Sequence, residues 1–191
     1  MEPLTAEEVA LAVKVIRASG KVSDAVRFVS VSLHEPAKAL VHGFTGDQSV
    51  PREAFAVLFE NATNQCFETV VSLEDASITS WKHIPNVQPT MTVDEQVECE
   101  AAVLASPEFK DALKRHYGVE DTSLVMVDIW SAGNYGTEED RTRRLARPLC
   151  FLRSDATDNG YARPIEGIRP VVDLNLMQVI RIDEHGTWPL P

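Results

Sequence analysis

The chain has 191 residues, 44% of them hydrophobic and 25% charged, an ordinary globular composition with room for one large or two small domains. Its 29 acidic and 18 basic residues give a formal charge of −11, so a nucleic-acid backbone or an anionic membrane surface is repelled at long range and neither is expected as a partner. No apolar run approaches the roughly 20 residues needed to cross a bilayer, and Met1-Glu2-Pro3-Leu4 places no basic stretch before an apolar one.

The first element is a well-marked helix. Thr5 followed by Glu8 forms a capping box, Leu4 and Val9 a hydrophobic staple, and Val9, Ala12, Val13 and Ile16 recur at helical spacing before Gly20 ends the pattern. Four strand-like runs follow, Arg27 to Leu33, Glu53 to Glu60, Cys66 to Leu73 and Ser77 to Trp81, each rich in β-branched or aromatic residues. Asn61 to Asn64 and Glu74 to Ala76 are short enough to be hairpin connections. The simplest closure is one helix on an antiparallel sheet.

Ile84-Pro85-Asn86-Val87-Gln88-Pro89 reads as a linker, because each proline lacks a donor and restricts its predecessor. Beyond it Thr92 and Glu95 repeat the capping box, with Val97, Ala101 and Leu104 on one helical face. Ser106-Pro107 starts a second short helix, which Gly118 ends near Tyr117. Strands are expected again at Leu124 to Ile129, Ala146 to Arg153, Gly167 to Asn175 and Gln178 to Asp183, the last two joined by a tight turn at Asn175-Leu176-Met177. The predicted class is therefore α+β, with domains at 1–85 and 86–191, each a helix packed on an antiparallel sheet of about four strands.

Reactive groups are sparse. Cys66, Cys99 and Cys150 are odd in number and far apart, which fits reduced, mostly buried thiols rather than a disulfide framework or a metal knuckle. His34, His42, His83, His116 and His185 show no metal-binding spacing, so no metal ligand is assigned. Glu138-Glu139-Asp140 beside Arg141, Arg143 and Arg144 reads as a solvated ion-pair loop. The segments 43–46 and 131–133 lack the companions of a phosphate loop or a nucleophile elbow and are expected to be turns. Only nearness in sequence supports a hydrolase built on His83 with Asp94 or Glu95.

Several longer runs carry a resemblance. Asp128-Ile129-Trp130-Ser131-Ala132-Gly133, Arg147-Pro148-Leu149, Asp158-Asn159-Gly160-Tyr161-Ala162-Arg163-Pro164 and His185-Gly186-Thr187-Trp188-Pro189-Leu190-Pro191 closely resemble the N-terminal region of copper amine oxidases. Arg27-Phe28-Val29-Ser30-Val31-Ser32-Leu33-His34-Glu35-Pro36 fits the same family. The resemblance implies two tandem cystatin-like domains, N2 and N3, that precede a catalytic β-sandwich. That sandwich, with its copper, its topaquinone made from tyrosine and its aspartate base, is absent from this chain, so no catalytic, cofactor-binding or metal-binding residue is expected here. Asn134-Tyr135-Gly136 lacks the acidic residue that follows the cofactor tyrosine in the family and is expected to be an ordinary turn.

By the same resemblance Trp130 corresponds to an N3 residue that reaches toward the mouth of the amine channel, where its indole could wall an incoming amine. Filling core space at a strand end is the structural alternative. Val97 is a weaker candidate for the same wall. The acidic net charge would steer cationic substrates. The implied role is a non-catalytic, separately inactive domain pair that packs on the catalytic domain of a homodimeric oxidase of primary amines. The alternative is a freestanding cystatin-like binding module, against which the Pro-Leu-Pro ending reads as a domain boundary.

Overall fold

The structure is a computed structural model that describes residues 2–186; Met1 and the Thr187-Trp188-Pro189-Leu190-Pro191 part of the last resembling run lie outside the described residues. The chain divides into two compact units, Met1–Thr90 and Met91–Pro191.

In the first unit, helix α1 spans Ala6–Ala18. The Thr5 hydroxyl accepts from the Glu8 backbone N–H at 3.3 Å and the Glu8 carboxylate accepts from the Thr5 N–H at 2.7 Å, satisfying two of the N–H groups that a helix start leaves without partners. Four strands, β1 (Val26–Leu33), β2 (Glu53–Glu60), β3 (Gln65–Ser72) and β4 (Ser77–Ile84), form an antiparallel meander in chain order. Ala54, Ala56 and Leu58 alternate along β2 onto Ala12 and Ile16 of α1, with Val26 and Val71 completing a buried core. Strand β4 runs past Trp81, where the strand was expected to end. Ile84 pairs with Cys66, and the Phe67 ring contacts both Trp81 and His83. A short helix, α2 (Lys38–His42), lies between β1 and β2 in a stretch that carried no helix signal, and its N-cap, Ala37, makes no side-chain cap bond.

The second unit opens with α3 (Val93–Ala105) and α4 (Pro107–Tyr117). Both start as expected: Thr92 and Glu95 cap each other's backbone N–H groups, the Ser106 hydroxyl accepts from the Phe109 N–H at 3.2 Å, and Pro107 occupies the first helical position. Gly118, at φ +68°, closes α4 in the left-handed conformation, and its N–H donates to Lys114 O.

The buried face of α3 differs from the expected stripe. Val97 and Ala101 are exposed, while Glu95, Cys99 and Val103 face inward, because Glu95 has a buried cationic partner that lets a carboxylate lead the core-facing side.

Five strand segments follow: β5 (Val125–Asp128), β6 (Leu145–Ala146), β7 (Leu149–Leu152), β8 (Ile168–Asp173) and β9 (Gln178–Glu184). The single strand expected over Ala146 to Arg153 is interrupted at Arg147-Pro148, since Pro148 has no N–H to give the ladder. Register nevertheless continues across the break. Val125 to Asp128 pair with Leu152 to Leu149, Arg147 N donates to Trp130 O at 2.8 Å, and Ser131 bridges Ala146. Beyond β6 the ladder continues through β8 to β9. Both helices pack on the inner side of these strands, where Phe109 and Leu113 of α4 share one core with Val125, Val127, Cys150, Ile168 and Val172. A further short helix, α5 (Glu138–Thr142), stands where a loop was expected, started by Thr137 and Asp140 in their own capping box.

Ion pairs tie helix ends to strands. Arg52 holds Glu8 at 2.7 Å in the first unit, and Arg115 holds Glu184 in the second. Hydrogen bonds from Arg52 first, and then the Thr5 N–H, lower the Glu8 pKa from an ordinary 4.5 to about 2. Arg115 first, and then His116, do the same to Glu184, also to about 2. A depressed carboxylate pKa means stabilisation that is complete above the unfolded value and lost as pH falls through the folded one. Thermal melting is therefore expected to lose stability between pH 4.5 and 2, and Glu8→Gln with Glu184→Gln to flatten that decline, because glutamine keeps the hydrogen bonding of the helix start but cannot titrate. An unchanged slope in the double variant would contradict this assignment.

Candidate functional site

The exposed aromatic at the end of β5 is the natural starting point. Trp130 is 58% exposed, so it does not fill the core, and its indole N–H donates to Asp128 Oδ2 at 3.1 Å. Residues two apart on a strand share a face, so Asp128 can orient the ring from below while the Arg147 N–H fixes the Trp130 carbonyl from across the ladder. The exposed indole face can take a cation, and the carboxylate that holds its edge supplies negative charge beside it. Val97 is also exposed, on the solvent side of α3. Asp128 carried no signal in the sequence beyond its period-two spacing from Trp130.

The loop between β5 and β6 is not uniformly solvated as expected. Arg141 and Glu138 do form an exposed pair at 3.6 Å, but Arg144 is buried. Its guanidinium donates to Glu95 Oε1 at 2.6 Å and Oε2 at 3.1 Å, a bidentate pair inside the second unit. Of the residues named for a hydrolase, Glu95 is occupied by Arg144 and by the Thr92 N–H, and His83 is exposed and lies against the Phe67 ring. Tyr135 is an exposed loop residue whose ring lies 5.8 Å from the Arg147 guanidinium carbon, with its N–H donating to Asp140.

The other reactive types are spent on structure. Cys66, Cys99 and Cys150 are buried thiols outside any disulfide. Burial pushes the Cys99 thiol up to about 12 and raises Cys150 as well, so neither supplies a thiolate near neutral pH. His34 bonds Glu53 at 2.8 Å, and His116 bonds Glu184. Among the described residues no group of three His, Cys, Asp or Glu side chains converges as a metal site. No helix among them is long and apolar enough to cross a membrane.

Two family models match this chain in tandem: that of the copper amine oxidase N3 domain over residues 94–190 and that of the AGAO-like N2 domain over residues 5–81. The chain belongs to the copper amine oxidase family. Among copper amine oxidases, the primary amine oxidase of Arthrobacter sp. (strain P1) is 38% identical over 192 residues, which take in 100% of this chain and 29% of that protein. The peroxisomal N-methylputrescine oxidase 1 of Nicotiana tabacum is 35% identical over 229 residues, again 29% of its length. The copper-containing benzylamine oxidase of Hansenula polymorpha superposes with a TM-score of 0.80 at 18% identity, over 97% of this chain and 30% of that one, which shows a shared α+β fold. The chain thus corresponds to the N-terminal portion of copper amine oxidases and spans less than a third of the relatives it matches.

Proposed function

We propose that this chain is the non-catalytic N-terminal domain pair of a copper-dependent primary amine oxidase, packing on the catalytic portion and framing the channel by which amines approach. One observation carries the reading: N2 and N3 matches run in order along a chain that corresponds to 29% of its relatives' length. The parent reaction is then oxidative deamination of primary amines to aldehyde, ammonia and hydrogen peroxide. Copper and topaquinone belong to the parent's catalytic portion, and the parent is a homodimer. The N2-like domain takes 1–85 and the N3-like domain 86–191. Helix α1 packed on a four-stranded meander in the first unit supports the cystatin-like description.

Within this reading Trp130 walls the channel mouth, Asp128 fixes its orientation and Val97 contributes apolar surface. In the longer oxidase that carries these residues, Trp130→Ala is expected to lower kcat/KM for cationic amines by about 0.5–2 kcal/mol, roughly 2- to 30-fold, chiefly through KM. Val97→Ala should do less. Steady-state peroxide assays over a series of amines check this, and unaltered KM values throughout would remove Trp130 from the channel.

A further inference from the structure

The second unit leaves one side of its β5–β7 ladder without a covering helix. Met126 and Asp128 of β5 and Trp130 just beyond its end lie on that side, opposite Phe151, Leu149 and Arg147, while Val125, Val127 and Cys150 turn to the core. The composition of this outer face is unlike that of a solvated surface. Trp130 is 58% exposed, Leu149 42% and Tyr161, whose ring packs edge-on against Phe151 at 5.1 Å, 58%.

Two half-buried arginines share the face. Arg147 lies beneath the Tyr135 ring, and Arg153 lies against Gly160 of the loop that folds back over Met126. The Nε atoms of both are buried without a hydrogen-bond partner, and neither side chain lies within ion-pair distance of a carboxylate among the described residues, although Arg147 is near enough to Asp140 to help Thr137 hold that carboxyl below its ordinary value. Other arginines of this acidic chain do find carboxylates: Arg52, Arg115, Arg144, Arg163 and Arg181 are all paired. Burying a guanidinium N–H without an acceptor costs free energy that a partner carrying carboxylates would recover. Exposed Trp, Tyr and Leu beside arginine is also the make-up of a protein-docking centre.

We infer that the outer face of the β5–β7 ladder is the surface on which the catalytic portion of the longer oxidase docks, and that Arg147 and Arg153 receive carboxylates from that portion. The inference rests on the proposed function and specifies which surface performs the packing. It places Trp130 at the rim of the covered area, where one ring can border both the interface and the approach to it.

Hydroxyl-radical footprinting of the isolated chain and of the longer holoenzyme tests this. Labelling of Tyr161 and Leu149 is expected to fall several-fold in the longer protein. The double variant Arg147→Ala, Arg153→Ala, checked for folding by circular dichroism, is expected to restore part of it. Equal labelling of these side chains in both proteins, with protection elsewhere on the chain, would overturn the inference while leaving the packing role intact. No protection anywhere would overturn the packing role itself. Protection in the isolated chain that vanishes on dilution would assign the face to a second copy, also against the inference. A folded double variant with full protection would remove the carboxylates from it; if that variant fails to fold, the wild-type comparison still decides the face.

Discussion

Glu95→Ala is expected to destabilise the second unit by about 3–5 kcal/mol. Glu95 and Arg144 are both buried, with side-chain exposures of 1% and 3%, so deleting the carboxylate strands a guanidinium that water cannot reach. The same substitution removes the acceptor for the Thr92 N–H at the start of α3 and so adds the loss of half a capping box. Against a total stability of about 5–15 kcal/mol for a domain of this size, the change is a large fraction of the whole. Urea unfolding followed by circular dichroism is the measurement. Replacing both partners with methionine is expected to recover most of the loss, because the cost arises from an unpaired charge rather than from the pair's net contribution. A shift below about 1 kcal/mol for Glu95→Ala would mean that water reaches the pair in solution.

Phe109→Ala is expected to cost about 3–5 kcal/mol. The ring is fully buried in the first turn of α4, within the core that joins both helices to the strands, and removing it leaves a void lined by Cys99, Val103, Val125 and their neighbours. Val97→Ala offers the contrast. Its side chain is 63% exposed, so the change is expected within about 0.5 kcal/mol of zero. A large effect at Val97 together with a small one at Phe109 would invert the assignment of the buried face of α3 and α4.

Helix starts were legible wherever a threonine or serine stands at a spacing that only a cap explains, as at Thr5-Glu8, Thr92-Glu95 and Ser106-Pro107. Helix α5 escaped notice because its box closes with Asp140, a shorter side chain than the Glu or Gln that signals the motif, and α2 because Ala37 gives no capping signal at all. Apolar periodicity found every long strand but not the break at Pro148, where register survives a missing donor. The second role of Glu95 was hidden because its partner lies 49 residues away, in a run of charges that reads as solvated. The family was readable from the wording around Trp130. Whether that indole faces core or solvent depends on which strand face it occupies, and the sequence leaves that open until Asp128 and Arg147 are placed around it.

On the proposed function, the chemistry of the parent oxidase lies on polypeptide outside these residues. The most direct test of this compares hydrogen peroxide release from primary amines by the isolated 191-residue chain and by the longer oxidase that contains it, with both incubated with copper under oxygen. Peroxide from the longer protein alone is the expected result. Turnover by a homogeneous preparation of the isolated chain, accompanied by stoichiometric copper uptake, would contradict it.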